Sequence, residues 1–154
     1  MKKLLATLSI FITTIAITQL PKQALCNEIT HNNIAATIGN GSGKSNFGIN
    51  SKIGISDNIS VRPFITLPSG GATFGSSVSY DWNIPQSPTS SIAPFIGLGI
   101  ESEGDGVTRL TTGFAQVGAD LNISEQFVLV GSITIPFDRS NSSGNLTVGG
   151  GLRF

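Results

Sequence analysis

The stretch Asn145–Phe154, NLTVGGGLRF, sorts its side chains by parity: Leu146, Val148, Leu152 and Phe154 fall on one side, Thr147 and Arg153 on the other. Successive side chains of a β-strand point to opposite faces, so the stretch reads as a strand with an apolar and a polar face. It closes on its most apolar residue, where a soluble domain usually frays into polar ones. The rest of the chain has to decide which solvent that apolar face meets.

Period-two alternation dominates upstream as well. Phe47, Ile49, Ile53 and Ile55 oppose Asn46, Asn50 and Lys52; Ile59, Val61, Ile65 and Leu67 oppose Ser60, Arg62 and Thr66. Phe74, Val78, Tyr80, Trp82 and Ile84 oppose Thr73, Ser77, Ser79, Asp81 and Asn83. Ile92, Ile96, Leu98 and Ile100 face away from Ala93, Gly97, Gly99 and Glu101, and Val117, Leu121 and Ile123 from Gln116, Asp120 and Asn122. Phe114 breaks the parity of its segment, for which a bulge near Gly113 is the expected cause. Phe127, Leu129, Ile133, Ile135 and Phe137 form a further strand, and Ile34, Ala36 and Ile38 the first. The total is eight strands with no convincing helical period.

A soluble sandwich alternates too, so the content of the faces has to decide. The polar face is rich in Gly, Ser, Thr and Asn and nearly free of Lys, whereas a water-facing surface carries about a quarter or more charged residues. Large Ile, Leu and Phe recur on the other face of nearly every strand. A narrow eight-stranded barrel takes small residues inside, and closure removes every unpaired edge from hydrocarbon. Eight strands of about ten residues, tilted about 45°, span a bilayer. The fold expected is therefore all-β, an eight-stranded antiparallel up-and-down transmembrane barrel. Tyr80 and Trp82, outward near a strand end, suit an aromatic girdle. Pro63 and Pro94 run against closure, because a barrel has no free edge to accommodate a missing N–H.

Three motifs carry a resemblance. SIAPFIGLGIESEG (Ser91–Gly104) resembles the Pro-aromatic-x-Gly-x-Gly strand of small opacity-type and outer-membrane-protein-A-type barrels, and FAQVGADLNISEQFVLVGSITI (Phe114–Ile135) resembles their next hairpin. The final GLRF, with Leu152 and Phe154, resembles the signal read by the barrel assembly machinery. The likeness extends over Gly48–Phe154. It implies a bacterial outer membrane as location, its lipid bilayer and the assembly machinery as partners, and both termini in the periplasm. The loops are short beside those of the family's adhesins, so it does not carry receptor binding.

The first 26 residues read as a signal peptide: Lys2 and Lys3, an apolar run Leu4–Ile17, then Ala24-Leu25-Cys26 at the cleavage site. An uncleaved anchor, or lipidation at Cys26, are the alternatives. The remaining domain, 27–154, has six Lys/Arg against nine Asp/Glu once Lys2, Lys3 and Lys22 are removed, and no basic stripe, which argues against nucleic acid.

Other motifs yield little. In GNGSGKS (Gly39–Ser45) the first Gly stands one residue too close to Gly43 for a phosphate loop and a strand follows, so a flexible surface loop is expected. His31, the only histidine, lies before the first strand, away from any outer-rim nucleophile. Glu101, Glu103 and Asp105 suit weak Ca²⁺ binding in principle, but an acidic solvated loop is the expectation. No catalytic, cofactor or metal site is assigned.

The site that does stand out is internal. Lys52 and Arg62 flank the first periplasmic turn, while Asp81 stands four residues before Pro85 and Asp120 four before Ser124. All four should reach one level of the lumen and pair, because desolvated charges left single cost several kcal/mol each. The expected function is a non-enzymatic, monomeric outer-membrane barrel with a structural or surface role and a plugged lumen. A minor pore for ions or very small solutes is the alternative, and a soluble secreted ligand-binding barrel the second.

Overall fold

The computed structural model describes residues 32–41, 44–68, 71–82, 84–87, 90–104, 110–137 and 144–154. The signal segment with Cys26, His31 and Asp105 lie outside them.

Nine strand segments follow in order: β1 (Asn33–Gly41), β2 (Lys44–Ser56), β3 (Ile59–Leu67), β4 (Ala72–Asp81), β5 (Ile84–Ser87), β6 (Ser90–Gly104), β7 (Leu110–Asn122), β8 (Phe127–Pro136) and β9 (Asn145–Arg153). All pairings are antiparallel. The sheet runs β4-β3-β2-β1-β9-β8-β7-β6, and β6 pairs back onto β4. The first and last strands meet through Ile34↔Leu152 and Ile38↔Val148, which leaves an eight-stranded closed barrel.

The fourth strand expected from the sequence runs on to Ile84; in the structure it divides into β4 and β5. Pro94 supplies the reason. Its carbonyl accepts from Trp82 N at 2.8 Å, so its backbone faces Trp82, yet it has no N–H to return. The ladder stops at Asp81↔Phe95 and resumes at Ile84↔Ile92. Both prolines sit at such interruptions, which reconciles them with a closed wall.

Three further expectations are corrected. No bulge lies near Gly113: the β6–β7 register is unbroken from Ser91↔Asn122 through Ile100↔Gly113 to Glu103↔Leu110. Phe114 therefore keeps its inward parity and is fully buried. The bulges lie elsewhere, between Gly54 and Ser56 and between Pro85 and Ser87. Nor does the loop expected at Gly39–Ser45 extend over that whole stretch, of which Ser42 and Gly43 lie outside the described residues. Gly39–Gly41 belong to β1 and Lys44–Ser45 to β2, paired as far as Gly41↔Lys44. Similarly, Glu101 and Glu103 are strand residues of β6, opposite Thr112 and Leu110.

Burial is inverted relative to a soluble protein. Among the described residues the buried set holds seventeen polar or charged residues and six apolar ones, while twenty-seven large apolar side chains are exposed on the outer surface. A water-soluble domain does not leave so much apolar area unburied, whereas a barrel in hydrocarbon presents such a band.

Candidate functional site: a charged and aromatic lumen

Four charged side chains converge at one level of the barrel. Lys52 comes from β2, Arg62 from β3 and Asp81 from β4, while Asp120 reaches in from β7 on the other side; all are buried. Arg62 makes most of the contacts. Its Nη1 and Nη2 donate to Asp120 Oδ1 and Oδ2 at 3.1 and 2.9 Å, the two-pronged geometry in which guanidinium matches carboxylate best. Nη2 also donates to Asp81 Oδ1, and Nε donates to Ser79 Oγ at 2.9 Å. Ser60 Oγ donates to Asp81 Oδ2 at 2.6 Å and lies 2.8 Å from Ser79 Oγ. Lys52 Nζ stands 3.6 Å from Asp81 and 3.5 Å from Asp120, longer than a direct charge-assisted bond.

The four charges sum to zero. Local structure sets their depth: Asn58 Nδ2 donates to the Asp81 carbonyl and Asp81 N to the Asn58 carbonyl, tying the β2–β3 turn to the end of β4. A neutral, hydrogen-bonded cluster is the form in which buried ions are tolerated.

Beside this layer lies an aromatic one that the sequence reading missed. Arg62 Cζ sits 3.5 Å from the centroid of the Phe95 ring, within cation–π range. Phe64 and Phe114 meet edge to face with centroids 5.8 Å apart. Each of the three rings stands opposite a glycine on the neighbouring strand: Phe64↔Gly75, Phe95↔Gly118 and Phe114↔Gly99. Apolar residues on a polar face look like noise when only parity is counted. The signal available was this cross-strand complement, a missing side chain facing a large one. Between the layers, Ser77 Oγ donates to Gln116 Oε1 at 2.9 Å and Gln116 Nε2 donates to Ser132 Oγ at 3.2 Å.

Outside, Tyr80 and Trp82 pack edge to face at 5.0 Å, both about half exposed. Leu152 in β9 and Phe154 just after it are both exposed on the outer surface; Phe154 N donates to the Asn32 carbonyl at 3.0 Å. Arg153, on the opposite face, donates from Nη1 to the Ser124 carbonyl at 2.6 Å. Among the described residues no group of three or more His, Cys, Asp or Glu is placed to hold a metal, and no helix is long and apolar enough to cross a membrane.

No protein-family model matches the sequence, and no curated protein does. Solved structures do match. A protein from the de novo design of transmembrane β-barrels aligns at TM-score 0.61 and 14% identity, over 83% of this chain and 98% of that one. The N-terminal β-barrel domain of Pseudomonas aeruginosa OprF aligns at TM-score 0.56 and 14% identity, over 83% of this chain and all of that one (100%). The Yersinia pestis outer membrane protein Ail aligns at TM-score 0.49 and 13% identity, over 80% of this chain and 99% of that one. The chain has the fold of the small eight-stranded transmembrane β-barrels.

Proposed function

We propose that this protein is an integral barrel of a bacterial outer membrane, non-enzymatic and monomeric, with a structural or surface role and a lumen closed to ions. The barrel assembly machinery is its proposed insertion partner, engaging the apolar outer row that includes Leu152 of β9 and Phe154 directly after it.

The observation that carries the closed lumen is the bidentate Arg62–Asp120 pair. A side chain of β3 and one of β7 meet inside the barrel, with Phe95 stacked on the guanidinium. An ion passing that level has to displace one partner from the other. The membrane location is supported by the closed wall and its outward apolar band. The same band weighs against a soluble ligand-binding barrel.

Reconstitution into planar bilayers tests the reading. The wild type should give no steady single-channel current. Regular, sizeable steps from purified wild-type protein would overturn the closed lumen and favour a minor pore.

A further inference from the structure

Pro63 lies in the middle of β3, and the β2–β3 ladder skips it. Partners are in register at Phe47↔Leu67, Ile49↔Ile65 and Asn50↔Phe64, and again at Ile53↔Val61 and Gly54↔Ser60. The register is the same on both sides of the gap, so no residue has been inserted there. By that register Pro63 stands opposite Ser51.

The direction of its backbone follows from a neighbouring bond. Asp81 N donates to the Asn58 carbonyl, so Asn58 turns its backbone groups toward β4. Orientation alternates along an antiparallel strand, and Ile59↔Tyr80 through Thr66↔Thr73 continue that register. Odd residues of β3 thus face β2. Pro63 faces Ser51 and has no N–H to donate to it. The Ser51 side chain is committed elsewhere, its Oγ donating to the Asn33 carbonyl of β1 at 2.8 Å. In a wall surrounded by hydrocarbon, a backbone carbonyl without a donor is costly.

The lumen offers a donor at this place. A cavity of about 20 Å³ opens onto Asn50, Ser51, Arg62, Pro63, Gln116 and Asp120. A polar cavity above about 10–15 Å³ on this measure has room for a water molecule. We propose that this cavity is a water site built into the barrel wall, in which a bound water donates to the Ser51 carbonyl in place of the missing Pro63 N–H and solvates the Arg62–Asp120 pair from its open side. The ligand class is water, or a neutral hydrogen-bond donor of the same size. The site rests on the wall geometry and is independent of whether the lumen conducts.

Isotope-labelled full-length protein in lipid nanodiscs tests this by amide-to-water cross-relaxation and hydrogen exchange. The wild type should show a long-lived water contact at Ser51 or its neighbours Asn50 and Lys52. Pro63→Ala restores the donor. It should abolish the Ser51 water contact and slow exchange of the surrounding ladder amides, Lys52 and Ile53, by about five- to tenfold, the effect of one net ladder hydrogen bond. A wild type with no long-lived water near Ser51 overturns the site by itself, whether or not the variant folds. A wet wild type whose water contact and exchange are unchanged in Pro63→Ala overturns the role assigned to the proline.

Discussion

Phe114 of β7 lies directly across the ladder from Gly99 of β6, and its ring occupies the space a side chain at Gly99 would need. A Cβ at Gly99 would come within 2.4 Å of Phe114 Cζ and also within 2.4 Å of the Ser76 carbonyl oxygen, a backbone atom. The ring alone could turn aside, but the carbonyl cannot without moving β4. Gly99→Ala should therefore destabilise the barrel by ~1–3 kcal/mol, the usual effect of overpacking. Gly131→Ala is the matched control. Nothing lies within 4 Å of its Cβ position, and replacing a strand glycine there should be neutral or slightly stabilising. Urea unfolding of both variants in the same lipid measures the difference.

The charge cluster should be both a stabiliser and a closure. Arg62→Ala leaves Asp81 and Asp120 facing each other with only Lys52 between them. Removing one partner of a buried ionic group costs ~3–5 kcal/mol, because the remaining charge is left uncompensated. The same change opens the level where the guanidinium stacks on Phe95. Lower thermal stability together with new bilayer conductance is the expected outcome, and Asp81→Ala should behave alike. Reduced stability with no conductance would assign closure to the Phe64 and Phe114 layer instead.

Topology gives a third test. With an even number of barrel strands and the Asp57-Asn58 and Ser124–Gln126 turns in the periplasm, the β6–β7 connection falls at the outer end. An epitope tag inserted after Gly104 should be labelled on intact cells, and one beside Asn58 only after the outer membrane is opened. Labelling confined to the Asn58 tag would mean the reverse orientation.

How much of this was legible in the sequence depended on what kind of signal each feature leaves. The parity of Ile34, Phe47, Val78 or Ile133 is local and periodic, so strand faces could be counted off directly. The inward parity of Lys52, Arg62, Asp81 and Asp120 was legible in the same way, whereas their common depth was counted to turns, and Pro85, the reference for Asp81, lies inside β5 and not in a turn. The aromatic layer leaves a signal only in pairs. Phe114 looked like a change of parity at Gly113 because it was compared with its own strand, while its explanation, Gly99, stands on another strand. The prolines misled in the same way. Each removes a donor from a ladder, but whether the wall can absorb that depends on the partner strand: a break at Trp82 for Pro94, and a cavity behind Ser51 for Pro63.

The outward face supplies the most discriminating prediction, because its solvent sets the energy of a charge. Leu98 lies in mid-strand on β6, 64% exposed and paired with outward Val78 on β4. If the surrounding medium were water, Leu98→Arg would be an ordinary surface change worth within about 0.5 kcal/mol. In a bilayer the same arginine lies near the midplane and should cost ~2–4 kcal/mol, falling to ~0–1 near the interfaces. Thr111, exposed near the outer end of β7 opposite Ser102, provides the rim comparison. Thr111→Arg should therefore be tolerated where Leu98→Arg is not, although both positions face outward. Refolding equilibria of the two variants into short-chain lipid bilayers measure the gap. Equal, small effects at both depths would mean that the apolar band is not embedded in hydrocarbon, and the membrane reading would fail with it.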